Sequence, residues 1–370
     1  MLRYFKARIL EDNSTESSEN SHETVYNFVH VPQTLEPFIF FGFFICLDSF
    51  LYNYTILPIR LLVNSCRRRW KSVQEDAYKI SIIVIVCYFL NYIEPSSLYH
   101  SIRGQSIVKL YVIFNVLEIC DKLCCSFGLD IMNSFFSKSK SANSISPFLH
   151  FILVLIYVGI HALVFYYQSI TLNVAINSYN SSLMTLLISN QFVEIKSSVF
   201  KKFGRDNLFQ LACSDIVERF MLIVYLLIIF TRNILEVRNF ALEHFIDTSF
   251  PIIAVYCSEL IVDWLKHSFI TKFNHIQPKI FSFYSKILAR NASPPRIGFS
   301  VFPVSCFVIR QIYSFELVPT WSQCIAIYLF LVLSKIMIGS QLQLFCIKTR
   351  STHDEMDKIT RFTLVHSRIP

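Results

Sequence analysis

Tyr99-His100-Ser101-Ile102-Arg103-Gly104-Gln105-Ser106-Ile107-Val108-Lys109-Leu110-Tyr111 opens a stretch that runs on through Glu118 and Asp121 to Phe127-Gly128. It is too polar to sit in lipid alone and too apolar to be a simple loop. Ile107, Val108, Leu110, Tyr111, Phe114, Leu117 and Leu123 are apolar, while Asn115, Glu118, Asp121 and Lys122 recur at spacings of three and four. That spacing puts the four polar side chains on one face of a helix, with Glu118 and Lys122 as an i,i+4 pair. Such a helix can lie in the membrane interface, re-enter, or pack inside a bundle with its polar stripe toward protein. The stripe Asn115, Glu118, Asp121 and Lys122 is the candidate face for a partner protein. Gly128 offers a C-cap, and Ser137 to Pro147 reads as a polar linker.

The segments around this stretch decide the class. Hydrophobic residues make up 53% of the 370 and charged residues only 16%, against about 25% charged in a typical soluble chain. The mean hydropathy is +0.46. Seven glycines stand against 36 phenylalanines and 18 tyrosines, so aromatic bulk replaces flexible turns. These are the marks of an all-α polytopic membrane helix bundle. About seven crossings are expected, within a range of six to eight, together with amphipathic or re-entrant helices. The net charge of +8 does not point to nucleic acid, because the basic residues flank apolar runs as they do at a cytoplasmic membrane surface.

Residues 1–36 read as a disordered tail, acidic and Ser-rich from Glu11 to Glu23, with no cleavable signal pattern. Residues 37–347 form the membrane domain and 348–370 a polar C-terminal tail. Phe38 to Val63 is the first expected crossing, followed by the basic cluster Arg67, Arg68, Arg69, Trp70 and Lys71. That cluster reads as a topogenic flank, with lipid binding by Arg67, Arg68, Arg69 and Lys71 as the sharper alternative. Lys79 to Tyr92, Phe148 to Gln168, Ile216 to Leu235 and Phe250 to Ile270 supply further crossings. Gly298 to Phe315 and Trp321 to Ile338 form a closing hairpin, and Thr171 to Phe209 a helical hairpin sheltered by protein. Lys and Arg fall mostly on the side that this arrangement assigns to the C-terminus, which places it in the cytosol and the N-terminus in the lumen or outside.

Glu259, Asp263 and Lys266 or His267 share one face of an expected crossing. A charge at mid-bilayer costs about 2.5–3.5 kcal/mol on insertion scales, so such residues face a partner or a wet cavity. Arg310 and Lys335 are the expected partners, and Asp48 belongs to the same intramembrane polar set. An ion-paired bundle core and a proton or cation pathway both fit, the former more readily. His100 and Arg103 read as interface anchors and His161 as a satisfied core histidine. Eleven cysteines occur, mostly in apolar runs, with no metal-spaced CxxC pair. Neither a disulfide framework nor a metal or other cofactor is expected. No Walker loop, GxGxxG, GxSxG or HExxH occurs, which argues against an enzyme.

Several ordered blocks resemble the transmembrane anterior posterior transformation (Tapt) family. They are Tyr99 to Asn115 with Leu117-Glu118 and Ser126-Phe127-Gly128; Thr171 to Ala175; Ser189 to Phe203; Asn207 to Gln210; Lys266 to Asn274; and Asp48 to Leu51 with Leu57 to Arg60. The resemblance implies a multi-pass protein of the endoplasmic reticulum membrane, with family links to the ciliary base and to axial patterning in animals. In fungi it implies a SUN-domain-like partner and protection of folding proteins. It supplies no catalytic residues. The expectation is therefore a non-enzymatic membrane scaffold or adaptor, with the bilayer and other membrane proteins as partners. The alternative is an ion or solute transporter that uses the intramembrane carboxylates.

Overall fold

The computed structural model describes residues 14–68, 70–138, 147–177, 181–236, 242–290, 297–315 and 320–350, and every regular element among them is helical. The chain runs through α1 (Ser14–Tyr54), α2 (Ile56–Cys66), α3 (Trp70–Leu90), α4 (Pro95–Arg103) and α5 (Ile107–Lys138). It continues through α6 (Pro147–Ile176), α7 (Ser181–Val199), α8 (Arg205–Glu236) and α9 (Leu242–Phe273). It closes with α10 (Ile280–Arg290), α11 (Val301–Ser314) and α12 (Trp321–Arg350). Among the described residues, four helices are long and apolar enough to cross a membrane: Tyr26–Tyr54, Phe148–Ile176, Phe245–Phe273 and Trp321–Ile347. Ile56–Cys66 and Val301–Ser314 are shorter apolar helices.

Prolines shape the first crossing. Pro58 has no N–H to return to the carbonyl of Tyr54, and α1 gives way at Tyr54 to a turn at Thr55 before α2 begins. The expected single helix from Phe38 to Val63 is therefore two helices. Upstream, Pro32 lies inside α1 and leaves the carbonyl of Phe28 without its helical donor. The hydroxyl of Ser268 on α9 donates to that carbonyl at 3.1 Å, so the proline's missing bond becomes an interhelical one. α1 begins at Ser14, so the expectation of a disordered tail through residue 36 fails from there on. Val31 and Leu35 are fully buried, which supplies the packing that composition alone did not reveal.

Two apolar cores organise the bundle. The larger joins α1, α8, α9, α10 and α11 with the second half of α6, around Phe38, Phe165, Phe220, Phe281 and Tyr284. The smaller joins α3, the end of α5 and the first half of α6, around Ile82, Phe135, Val154 and Val158. Close approach depends on glycine in two places. A Cβ on Gly42 of α1 would lie 2.2 Å from the Cδ1 of Ile216, and one on Gly128 would lie 1.9 Å from the hydroxyl of Tyr157. Gly128 is thus a helix-packing glycine within α5, not the expected C-cap; α5 continues to Lys138 because α6 buries its far end. The expected linker at 137–147 lies largely outside the described residues. The Thr171–Phe209 hairpin also redistributes, since Thr171 to Ile176 complete α6 and Arg205 already starts α8.

Candidate functional site

Glu259, Asp263, Lys266 and His267 lie on one face of α9, as their spacing requires, and α1, α7 and α8 supply what they meet. Asp263 accepts from Nε of Arg219 at 2.7 Å and lies 2.9 Å from Nζ of Lys266. Lys266 donates to Asp215 at 2.7 Å and to Glu194 at 3.3 Å. His267 Nε2 lies 2.5 Å from the other oxygen of Asp215. Arg219 also donates to Glu36 at 2.8 Å, and the same Glu36 oxygen accepts from the indole of Trp264 at 2.6 Å. Asp215 and Asp263 each expose only 1% of their side chains. Two buried carboxylates are thus held by one guanidinium, one ammonium and one imidazole. Completing the pairing offsets the desolvation that an isolated charge would suffer there.

One turn away the surroundings change. A cavity of about 150 Å³ opens between α5, α6, α7, α8 and α9. Five carboxylates line it: Glu118, Asp121, Glu194, Glu218 and Glu259, with the amides of Gln168, Asn190 and Gln191 between them. Phe114, Leu172, Ile188, Met221, Leu222, Tyr225 and Val255 form its apolar wall. Glu259 meets a neutral partner, the amide of Gln191 at 2.5 Å, and Gln191 in turn accepts from Ser258 at 2.7 Å. Lys122 lies 3.0 Å from Glu118 and 3.4 Å from Glu218, and Asn190 donates to Glu118 at 3.4 Å. Two lysines, Lys122 and Lys266, are the fixed ammonium groups paired with this wall among the described residues. Carboxylate charge therefore exceeds fixed cationic charge, and a small cation or bound protons can balance the difference. Glu194, Asp215 and Glu218 converge closely enough to hold a metal ion, but the Lys266 ammonium already occupies the approach to Glu194 and Asp215.

The structure divides the expected polar sets. Asp48 pairs with Lys335, apart from Glu259 and Asp263. Arg310 pairs with no carboxylate of that set. It donates to the carbonyls of Leu90 at 3.0 Å and Ile93 at 2.8 Å, at the end of α3 and in the turn that follows it, where carbonyls lie beyond the regular helical ladder. The face Asn115, Glu118, Asp121 and Lys122 turns toward α6, α7 and α8, so it is engaged within the chain. The side-chain oxygen of Asn115 is buried without a hydrogen-bond partner, Asp121 lies 2.7 Å from His161, and Lys122 keeps 48% of its side chain exposed. Arg67 and Arg68 are exposed, Arg68 with a φ of 50° at the close of α2; Arg69 and the side chain of Lys71 lie outside the described residues. His100 and Arg103 occupy the last turn of α4, with Arg103 over the ring of Tyr99 at 5.9 Å.

Glu36, Gln191, Asp215 and Arg219 were not among the expected site residues. Asp215, Glu218 and Arg219 follow the same three-and-four spacing on α8 that singled out the α9 face, so that test applied to α8 finds them. Glu36 carries no such signal, because it lies in the segment whose composition reads as tail.

A model described as a eukaryotic membrane protein family matches residues 70–351. A TAPT1 homologue of Dictyostelium discoideum is 40% identical, with 90% of this chain and 46% of the relative covered. Transmembrane anterior posterior transformation protein 1 of Mus musculus is 40% identical, covering 85% of this chain and 62% of its own length. Endoplasmic reticulum membrane protein 65 of Schizosaccharomyces pombe is 36% identical, covering 86% and 57% respectively. The chain thus spans about half to three-fifths of the length of these curated relatives. No solved structure matches.

Proposed function

This chain belongs to the transmembrane anterior posterior transformation family of eukaryotic membrane proteins, and from that premise we propose that it takes up and passes a cation through its acidic cavity. It is a multi-pass protein of the endoplasmic reticulum membrane. The carrying observation is the cavity wall, where five carboxylates converge and Glu259 is held by an amide instead of a fixed cation. A carboxylate so placed exchanges a proton or a cation without first breaking an ion pair. The reaction is transport or binding, with no covalent step, in keeping with a non-enzymatic protein. Seven crossings belong to this reading: α3, α8 and α11 join the four long apolar helices, with the N-terminus lumenal and the C-terminus cytosolic. The test is cation flux into proteoliposomes loaded with the purified chain. Flux should exceed that of empty vesicles and fall at least about tenfold in Glu259→Gln, a rise of about 1.4 kcal/mol in the transport barrier. Wild-type flux equal to that of empty vesicles sinks the proposal.

A second reading, a scaffold or adaptor, rests on α12. Most of its apolar side chains, Phe330 and Leu333 among them, are exposed, with Lys335 the buried exception among the described residues of the helix, so its outer face is open to lipid or to another membrane protein. In this reading α12 docks a membrane partner, which the family resemblance suggests is SUN-domain-like, and serves the ciliary base or the protection of folding proteins. Photocrosslinking from Phe330 or Leu333 separates the outcomes. A protein adduct supports the scaffold, and lipid adducts alone remove it.

A further inference from the structure

We propose that Asp121, Cys125 and His161 form a zinc site at the junction of α5 and α6. The inference goes beyond the cavity reading, because Cys125 and His161 do not line the cavity and the site can hold an ion in a protein that passes none. Asp121 and Cys125 are four residues apart on α5 and so project from one face; His161 comes from the facing helix α6 and is fully buried. The three donor atoms all lie within 4.8 Å of one another. His161 Nε2 is 2.7 Å from Asp121 Oδ1 and 4.0 Å from Cys125 Sγ, and the thiol is 3.6 Å from the same carboxylate oxygen. Zinc bonds of about 2.0–2.3 Å in a tetrahedron separate such donors by roughly 3.3–3.6 Å. The His161–Asp121 contact must therefore open slightly and the His161–Cys125 contact close slightly around an ion.

The donor set selects the class of metal. A thiolate, an imidazole and a carboxylate suit zinc, whereas magnesium and calcium prefer oxygen donors throughout. The outer shell is also built. Tyr157 Oη lies 3.1 Å from His161 Nδ1 and 3.3 Å from Ser300 Oγ. With Nδ1–H donated to the phenol oxygen, the lone pair of Nε2 faces the Asp121 and Cys125 donors; a partner on the second nitrogen commonly orients a metal-binding histidine in this way. Tyr157 reaches that place because Gly128 has no Cβ, its hydroxyl lying where one would stand. Asp121 also borders the cavity, so water or an arriving ion reaches the fourth position from that side. Three protein ligands with one position open set this site apart from the closed four-ligand set of a structural zinc site.

The test uses the full chain in detergent micelles, stripped with a chelator and titrated with Zn²⁺ against a chromophoric competitor. One zinc per chain should bind, at least about tenfold more weakly in Cys125→Ser and unchanged in Cys124→Ser. Titration with Co²⁺ should give a thiolate-to-metal charge-transfer band that Cys125→Ser removes and Cys124→Ser retains. The serine keeps the shape of the thiol; should that variant nonetheless misfold, the wild-type Co²⁺ spectrum alone decides. Absence of stoichiometric Zn²⁺ binding, a Co²⁺ spectrum without a thiolate band, or full affinity in folded Cys125→Ser overturns the proposal.

Discussion

Asp263 and Glu259 sit one turn apart on α9 and live in different chemistry. Asp263 is buried between a guanidinium and an ammonium; Glu259 borders a cavity and meets an amide. The first arrangement locks charge in place, since each member of the Arg219–Asp263–Lys266–Asp215 chain holds the next. The second leaves charge available. An intramembrane carboxylate is therefore not by itself a sign of transport, and what distinguishes the two roles is whether a fixed cation is already seated on it.

The sharpest break of this comparison is to neutralise each carboxylate in turn. Asp263→Ala takes a buried carboxylate from Arg219 and Lys266, leaving Arg219 with Glu36 and Lys266 with Asp215 and Glu194, and breaking a buried pair typically costs about 3–5 kcal/mol. A large loss of thermal stability in detergent is expected, and an unchanged melting profile would show that the paired core contributes nothing. Glu259→Gln should lower stability by less than about 1 kcal/mol, since an amide can still hydrogen-bond Gln191, while abolishing cation flux. If both substitutions destabilise equally, the two environments are one.

Gly128→Ala comes next, because its new methyl group meets the Tyr157 ring. Overpacking of this kind costs about 1–3 kcal/mol, and a variant as stable as the wild type would mean that α5 and α6 part easily. Ser268→Ala removes the donor to the Phe28 carbonyl and should cost about 1 kcal/mol by the same thermal measurement. The smallest effect is expected at Lys122, half-exposed between Glu118 and Glu218. Lys122→Met should change stability by about 0.2–1 kcal/mol, yet raise cation uptake, because it removes a fixed positive charge from the acidic wall. Reduced uptake would make Lys122 part of the pathway instead of a competitor within it.

Much of the helical layout was legible before any coordinates, because runs such as Phe148 to Gln168 are long, apolar and nearly uncharged. The polar face of α5 and the charged face of α9 were legible too, since helical periodicity alone places Glu118 with Lys122 and Asp263 with Lys266. Their partners were not. Arg310 has no nearby signal that its partners would be carbonyls at the end of α3, because a helix terminus offers acceptors that no side-chain inventory counts. Gly128 read as a cap because glycine favours both helix ends and close helix approaches, and only the position of Tyr157 separates the two. Glu36 fell in a stretch of low hydropathy, and its pairing with Arg219 and Trp264 depends on helices nearly two hundred residues away or more.

By itself the sequence determined that this is an all-helical membrane protein with polar stripes on particular helix faces. Hydrophobicity and the helical repeat are local properties, and they survive without knowledge of the fold. Only the tertiary structure decided which stripe meets which: the face of α5, expected to await a partner, turns inward to wall a cavity, and the charges of α9 divide between a closed ion-paired core and that open wall. The reason is physical. In a low-dielectric bundle a charge goes where its complement is, and complements drawn from α1, α7 and α8 become neighbours only when the chain has folded.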